Sequence, residues 1–201
     1  YSATADINVS ILSTSGNVTL TADSNNDDSG KILDNLSNEN ANIIAALATL
    51  SASEGIGATG TADINTNVST INLTNDFSGD IFITEANALT ISGITSSGSS
   101  ADTVIISDAG SITTTGAITS VSDVLIKAVG INSDIILGVA LSSAGNISLN
   151  AGRKITQNAN ISTSASAKNI DLKKSFDQRV QIVYIMKNED IYERTDWKQI
   201  E

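Results

Sequence analysis

A short segment with an aliphatic residue at every second position recurs at nearly constant spacing along this chain. Its clearest copy spans residues 147–149, inside the glycine-bounded stretch 145–152. Five such segments begin at Ile81, Val104, Val124, Ile147 and Ile170. Successive copies are therefore 23, 20, 23 and 23 residues apart. A fixed period between about 20 and 50 residues indicates a solenoid, in which each repeat buries its apolar face against its neighbours.

Two weaker series of aliphatic residues lie between these segments at a similar spacing. The first series is Leu89 or Ile91, Ile112, Ile131 or Ile135, and Ile155. The second series is Ile94, Ile118, Val139 or Leu141, and Ile161. Each period thus holds three aliphatic segments separated by Gly, Ser, Asn and Asp, which predicts three short strands and three turns. We expect an all-β fold, a β-solenoid with about 20–24 residues per coil, over residues 1–174.

The same alignment predicts which side chains form the core. One inward-facing ladder is expected to contain Ile81, Val104, Val124, Ile147 and Ile170. A second ladder is expected to contain Ile83, Ile106, Ile126, Leu149 and Leu172. Neighbours in each ladder should lie about 4.8 Å apart, the spacing of paired strands.

Composition and charge limit the possible partners of the chain. Only 3% of the residues are aromatic and 16% are charged, so the core must be narrow and aliphatic. No apolar run approaches the roughly 18 residues of a membrane span, so we expect no membrane insertion. The net charge of −11 argues against nucleic acid as a partner, because such contacts depend on clustered Lys and Arg.

The chain contains no Cys and no His, which excludes Ser-His-Asp and Cys-His catalysis and the usual zinc sites. Paired carboxylates remain as candidates for acid–base catalysis on adjacent coils. These candidates are Asp102, Asp108, Asp123 and Asp134, with Lys127, Arg153 and Lys154 as the basic groups. A catalytic site needs an organised concave pocket, which an aromatic-poor solenoid hardly supplies. We therefore expect solvated turn positions, no catalytic residue and no cofactor.

A polar loop at residues 23–31 has the spacing of a calcium-binding loop. Its candidate ligands are Asp23, Asn25, Asp27, Ser29 and Asp34. However, Asp28 stands where the sharp turn requires Gly, and Asp34 replaces the bidentate Glu. A solvated loop between coils is the favoured interpretation, so we expect no metal site.

Two regions are ambiguous. Residues 32–57 fit either a helix or strands, and strands are favoured because Leu50 lies 23 residues before Leu73. Residues 175–201 differ in composition and form a separate C-terminal tail, with a predicted strand at 180–186 and a possible short helix after it. The tail could cap the last coil, begin another domain or be a junction.

Three stretches resemble the degenerate repeats of large bacterial exoproteins related to filamentous haemagglutinin adhesins. They are residues 45–57, 78–89 (Ser-Gly-Asp-Ile-Phe-Ile-Thr-Glu-Ala-Asn-Ala-Leu) and 145–152 (Gly-Asn-Ile-Ser-Leu-Asn-Ala-Gly). The resemblance extends from residue 1 to about 172 and rests on pattern rather than on an invariant motif. It implies a right-handed parallel β-helix, an extracellular or bacterial cell-surface location, and a role in adhesion or surface coating. No functional residue is implied by it.

Three function classes remain open. The favoured class is a structural or adhesive segment of a longer exoprotein, a rigid spacer whose partners are its own neighbouring repeats and surface glycans or proteins. A carbohydrate-active β-helix enzyme would need acidic and basic groups clustered on one face. An ice-binding solenoid would need Thr-x-Thr in register on every coil, whereas Thr113, Thr114 and Thr115 stand nearly alone.

Overall fold

The computed structural model describes residues 1–174 of the 201-residue chain. Its regular elements are all strands, and they wind into a parallel β-solenoid of about seven turns with about 23 residues per turn. The predicted all-β parallel solenoid is confirmed. Residues 1–174 contain no helix long and apolar enough to cross a membrane.

The strands, in chain order, are β1 (Ile7–Val9), β2 (Leu12–Ser13), β3 (Asn17–Thr21), β4 (Ile32–Asp34), β5 (Ile43–Ala52), β6 (Ile64–Asn75), β7 (Ile81–Glu85), β8 (Leu89–Ser96), β9 (Thr103–Ser107), β10 (Ile112–Thr114), β11 (Ile118–Ser120), β12 (Val124–Ala128), β13 (Asp134–Leu137), β14 (Leu141–Ser143), β15 (Ile147–Ala151), β16 (Lys154–Gln157), β17 (Ile161–Thr163) and β18 (Ile170–Lys174). Every strand pair is parallel, as expected when each turn stacks on the one before it.

The turns have three faces. The first face contains β1, β4, β7, β9, β12, β15 and β18. The second face contains the middle of β5 and β6, the start of β8, and then β10, β13 and β16. The third face contains β3, the ends of β5, β6 and β8, and then β11, β14 and β17. The long strands of the early turns therefore become two short strands in the later ones.

The predicted ladders are confirmed in most turns and wrong in one. Ile81, Ile83, Ile126 and Leu149 are fully buried, and each lies in register with its neighbours. In β9, however, the buried residues are Thr103 and Ile105, and the predicted Val104 and Ile106 point outward. Three consecutive aliphatic residues give no sign of which side faces the core, so the prediction was displaced by one residue.

The last predicted ladder members differ in burial from the others. Ile170 pairs with Ile147 and Leu172 with Leu149, as expected from the period. Ile170 is nevertheless 42% exposed, and Leu172 is only partly buried. Among the described residues, β18 pairs with β15 alone, so no further turn covers it on the other side.

The two weaker series also stack. Leu89, Ile112, Ile135 and Ile155 form a column on the second face, and Ile94, Ile118, Leu141 and Ile161 form a column on the third. The alternative member Ile131 is wrong, since its side chain is 62% exposed. Residues 32–57 form strands β4 and β5, as favoured, and Leu50 pairs with both Leu20 and Leu73.

Close approach between turns explains two glycines of the stretch that defined the repeat. A Cβ on Gly145 would lie 2.4 Å from the backbone nitrogen and from a carboxylate oxygen of Asp123 in the preceding turn. A Cβ on Gly152 would lie 1.9 Å from the carbonyl oxygen of Gly130. These turns can therefore stack at strand spacing only when no side chain is present at either position.

The predicted tail lies outside the described residues. This applies to the strand at 180–186, to the short helix and to the suggested capping of the last coil.

Candidate binding surface

One outward position on the third face carries a hydroxyl group in every turn within residues 1–174. We call this set the hydroxyl column: Thr21, Ser51, Thr74, Thr95, Thr119, Ser142 and Ser162. Each member pairs in register with the next through strands β3, β5, β6, β8, β11, β14 and β17. Each member is at least partly exposed. The column therefore presents seven hydroxyl groups along one line of the solenoid.

The backbone gives this column its spacing. Parallel strands pair about 4.8 Å apart, so successive hydroxyl groups repeat at about that distance. Thr and Ser have short side chains, and the β-branched Thr is restricted in χ1, so little rotamer freedom is lost on binding. A hydroxyl group both donates and accepts hydrogen bonds. The column can therefore contact an extended polar partner, or ordered water, at regular intervals.

Other outward columns carry hydroxyl groups less regularly than the hydroxyl column does. On the second face, Thr70, Thr90, Thr113 and Thr156 share one column, which Leu47 and Ile136 interrupt. On the third face, two residues before the hydroxyl column, Thr19 and Thr49 are present only in the early turns, and Gly93, Ala117 and Ala140 follow later. On the third face, a second outward Thr or Ser two residues before the hydroxyl column is thus confined to the first two turns.

Thr113, Thr114 and Thr115 do not belong to a Thr-x-Thr unit repeated in register on every described turn. Thr113 and Thr115 face outward on either side of the buried Thr114, and Ile136 lies in register with Thr113 in the next turn. The hydroxyl column could have been found in the sequence, because each aliphatic residue of one periodic series precedes one of its members. Those residues are Leu20, Leu50, Leu73, Ile94, Ile118, Leu141 and Ile161.

The candidate catalytic carboxylates form part of a second column. Asp80, Asp102, Asp123 and Asn146 each precede the first inward residue of their turn. An oxygen of Asp80 accepts the N–H of Asp102 at 2.9 Å, and an oxygen of Asp102 accepts the N–H of Asp123 at 3.1 Å. Asp123 accepts the N–H of Asn146 at 2.7 Å. We call this set the acid ladder, and its side chains connect turns.

The remaining contacts of the acid ladder support the same role. The hydroxyl of Ser122 donates to Asp102 at 2.6 Å, and the amide nitrogen of Asn146 donates to both oxygens of Asp123 at 3.1 Å. The backbone and side-chain hydrogen bonds from Asn146 lower the pKa of Asp123. A carboxylate held in its charged form by a neighbouring turn is a poor proton donor near neutral pH.

Asp134 is paired with Arg153 in the next turn. Two guanidinium nitrogens of Arg153 donate to the two oxygens of Asp134, at 2.8 and 2.6 Å. This bidentate contact lowers the pKa of Asp134. Lys154 lies in register with Asp134 on β16, whereas Lys127 lies on the first face and Asp108 is exposed at the corner after β9. The structure thus joins Asp102 to Asp123 and Asp134 to Arg153, and places Asp108 and Lys127 elsewhere.

Two further carboxyl groups lie deeper in the solenoid, and sequence reasoning missed both. Glu85 is fully buried at the end of β7 and accepts hydrogen bonds from the Val68 N–H, the Thr66 hydroxyl and the Asn87 N–H, at 2.9, 2.7 and 2.9 Å. Burial raises the pKa of Glu85. Asp63 accepts from the hydroxyl of Thr84, and burial raises its pKa as well.

The candidate calcium ligands do not converge. Asp23 accepts the N–H of Asp27 at 2.8 Å and the hydroxyl of Ser53 at 2.5 Å, and Asn25 donates to Asp27 at 2.8 Å. Asp34 lies on β4 and accepts instead from the N–H of Leu36 and the amide of Asn42. Within residues 1–174, no three acidic side chains are grouped so that they could hold a metal ion.

No protein-family model, no curated protein and no solved structure matches this chain. The fold is therefore established by the strand pairing alone. The resemblance to filamentous haemagglutinin-type exoproteins stays a prediction.

Proposed function

We propose that the chain is a rigid repeat segment of a secreted or cell-surface bacterial exoprotein, and that it presents a low-affinity multivalent binding surface. The hydroxyl column is the observation that carries this proposal. It persists through turns that differ in length, loop structure and charge, although the fold itself requires only that outward residues suit a strand. Surface glycans and proteins, which offer hydroxyl and amide groups, are the partners that such a column suits.

The energetics favour many weak contacts. A single neutral hydrogen bond contributes about 0.5–1.5 kcal/mol once water is displaced, which is too little for binding by one turn. Seven hydroxyl groups on one rigid line can engage a long partner together, and repetition along a longer chain would increase the effective concentration further. No individual side chain is then expected to dominate affinity.

The contacts of the candidate acids argue for this proposal over a carbohydrate-active enzyme. Asp102 and Asp123 accept backbone N–H groups of the following turn, and Asp134 is held by Arg153. Such carboxylates stabilise the stacking of turns. An enzyme would instead need one carboxyl group held protonated beside a second, charged one in a shared cleft.

The proposal is tested by measuring binding to a panel of insoluble polysaccharides and surface proteins. The variant Thr95→Val/Thr119→Val removes two neighbouring hydroxyl groups while keeping the branched shape, and we expect severalfold weaker binding. The matched control Thr90→Val/Thr113→Val makes the same change on the second face and should bind as the unsubstituted chain does. Release of shortened oligosaccharides, abolished by alanine at Asp102, Asp123 or Asp134, would reject the proposal in favour of an enzyme.

Ice binding is a second candidate, favoured by one observation. Thr and Ser repeat at strand spacing along the hydroxyl column, and a rigid repeat of this kind can order water. The early turns add a second outward Thr, at Thr19 and Thr49. Thermal hysteresis and faceted ice crystals that are lost in Thr95→Val/Thr119→Val would support this function, and their absence in the unsubstituted chain would reject it.

A further inference from the structure

The outward side of the first face carries large apolar side chains in three consecutive turns. Phe82, Val104 and Leu125 pair in register across β7, β9 and β12, and Ile106 lies in the adjacent outward column. We call Phe82, Val104 and Leu125 the apolar strip, since these three share one column. Their side chains, and that of Ile106, are partly buried by their neighbours on the sheet and face away from the core. This is the same feature that displaced the predicted ladder in β9.

Outward aliphatic residues are not a general property of this column. In the later turns the same position holds Ser148 and Asp171, and in the first two turns it holds Asn8 and Leu33, with Gly57 between Leu33 and Phe82. Parallel strands that are apolar on both sides are typical of sheets with both faces covered. An apolar patch with a polar rim is characteristic of an interaction site. The apolar strip is therefore a candidate interaction site.

Charges on the two sides of the strip are unequal. On one side lies the acid ladder, with Asp80, Asp102 and Asp123, each two residues before the strip on its own strand segment. On the other side, two residues after the strip, lies a column that contains Lys127 and, farther along, Lys173. The face thus has acidic groups at one edge and Lys127 at the other, in the same turn as Leu125.

The charges of this face complement those of the same face on a second copy of the chain. If two copies face each other across a two-fold axis parallel to the solenoid axis, Leu125 lies opposite Leu125 of the second copy. Asp123 of each copy then lies opposite Lys127 of the other, on both sides of the apolar contact. If the solenoids ran antiparallel, the acid ladders would face each other and repel. The charges therefore select the parallel arrangement.

We propose that the apolar strip is covered by a second copy of this chain, in a two-fold symmetric dimer whose solenoid axes run parallel. The interface is isologous, since the same residues contribute from both copies. It packs two sheets face to face, at about 10 Å. Within residues 1–174 the strip extends over three consecutive turns, so the interface is at the lower end of the size range and the dissociation constant is on the order of micromolar.

Sedimentation equilibrium of the full chain tests this proposal. We expect the apparent mass to rise from the monomer value of 20.7 kDa towards twice that value as the concentration passes through the micromolar range. The variant Val104→Ser/Leu125→Ser should shift the midpoint at least tenfold. Ser148 occupies the same column naturally, so serine is compatible with the fold at this position. The control Ile136→Thr, which removes an outward aliphatic side chain on the second face, should not shift it.

Cross-linking tests the orientation. The chain has no Cys, so a single engineered thiol reports one position. With Val104→Cys or with Leu125→Cys, a bismaleimide that spans about 10 Å should join two copies, because every residue of the strip faces its own counterpart in the parallel dimer. Circular dichroism confirms that each variant is folded. Ile136→Cys should give no cross-linked dimer.

Three results would overturn the proposal. The first is a monomer at every concentration up to about a hundredfold above the expected midpoint. The second is a dimer that Val104→Ser/Leu125→Ser leaves unchanged, or that cross-links through Ile136→Cys. The third is a monomer in which the thiol of Leu125→Cys does not react with a maleimide, since another segment of the same chain would then cover the strip. None of these outcomes depends on the binding function proposed above.

Discussion

The early and late turns of this solenoid share one fold but use charged groups in different ways. Up to residue 101 the chain carries eleven acidic side chains and one basic side chain, Lys31. Residues 102–174 carry five acidic and six basic side chains. In the early turns Glu85 and Asp63 are drawn into the protein, whereas in the late turns Asp123 and Asp134 remain at turns and bind to the next coil. The strand pairing tolerates both arrangements, because the aliphatic core is the same in each.

The two arrangements respond oppositely to pH. Burial raises the pKa of Glu85 and of Asp63, so the folded state favours their protonated forms, and their contribution to stability is present at low pH and lost as the pH rises through the folded-state pKa. Hydrogen bonds lower the pKa of Asp123 and of Asp134, so their contribution is present above the unfolded-state pKa and lost as the pH falls. Mild acid should therefore favour the region around Glu85 and weaken the acid ladder.

The largest loss of stability is expected for a change in the aliphatic core, which the early and late turns share. Ile147→Asp places a charge in the fully buried aliphatic ladder, which should cost about 4 kcal/mol or more and unfold neighbouring turns with its own. Circular dichroism should show loss of the cooperative melt. Ser148→Asp is the matched control, since Asp171 occupies the same outward column in the next turn, and a normal melt is expected. A native melt for Ile147→Asp would show that turns fold independently.

The second prediction concerns the early turns. Glu85→Ala fits sterically, because Ala128 and Ala151 occupy the same column in later turns, but it leaves the donors of Val68, Thr66 and Asn87 without their acceptor. We expect a loss of about 2 kcal/mol from the free energy of unfolding. The loss should be largest below pH 4.5, the ordinary pKa of Glu, and smaller as the pH rises, since ionised Glu85 is itself destabilising in this site. Urea unfolding of both proteins across pH measures it, and a loss that grows with pH would contradict the raised pKa.

The period of the sequence predicted the coil because inward positions on three faces are almost always aliphatic. It failed at residues 104–106, where outward residues are aliphatic too and the inward Thr103 resembles a surface residue. The apolar strip and the displaced prediction thus have one physical cause. In the structure Glu85 continues the inward alternation of Ile81 and Ile83, and sequence reasoning missed it because its charge argued for an exposed position.

The polar columns were harder to predict. The hydroxyl column is visible once the periodic aliphatic series is aligned, but Thr and Ser are common throughout the chain and hide it. The acid ladder could not be predicted, because it depends on contacts between one turn and the backbone N–H of the next. Those contacts are made at corners, where the spacing between coils varies.

The third prediction concerns the late turns. Asp123→Asn keeps the shape of the acid ladder, in which Asn146 already occupies the next position, but removes the charge that accepts its N–H. We expect a loss of about 1 kcal/mol at pH 7 that disappears as the pH falls below 3.8, the ordinary pKa of Asp. Urea unfolding at both pH values provides the measurement. If the free energies of unfolding of the two proteins differ by the same amount at low pH as at pH 7, the carboxylate charge has no role in connecting these turns.

A smaller effect is expected for the exposed ion pair. Arg153→Met removes the contact with Asp134 while keeping much of the side-chain length, and it should lower the stability only slightly, because solvent screens exposed pairs. The loss of stability caused by this substitution should be smaller in high salt. Thermal melts at low and high ionic strength would measure it, with Lys154→Met as the unpaired neighbour for comparison. A cost comparable to that of Glu85→Ala would indicate that the pair is shielded from solvent.

The smallest effect is expected when the charges that distinguish the two regions are removed one at a time and binding is measured. The hydroxyl column runs through both regions, so a surface that binds through it should be insensitive to charges elsewhere. Asp108→Ala and Lys154→Ala should change affinity for a bound polysaccharide or protein by less than about twofold, since exposed substitutions shift free energies by about 0.5 kcal/mol or less. Affinity should also be nearly constant with salt, because hydrogen bonds between neutral groups are not screened as charges are. A steep fall with salt, or a large loss for either variant, would mean that binding uses the charge difference between early and late turns instead of the hydroxyl groups that they share.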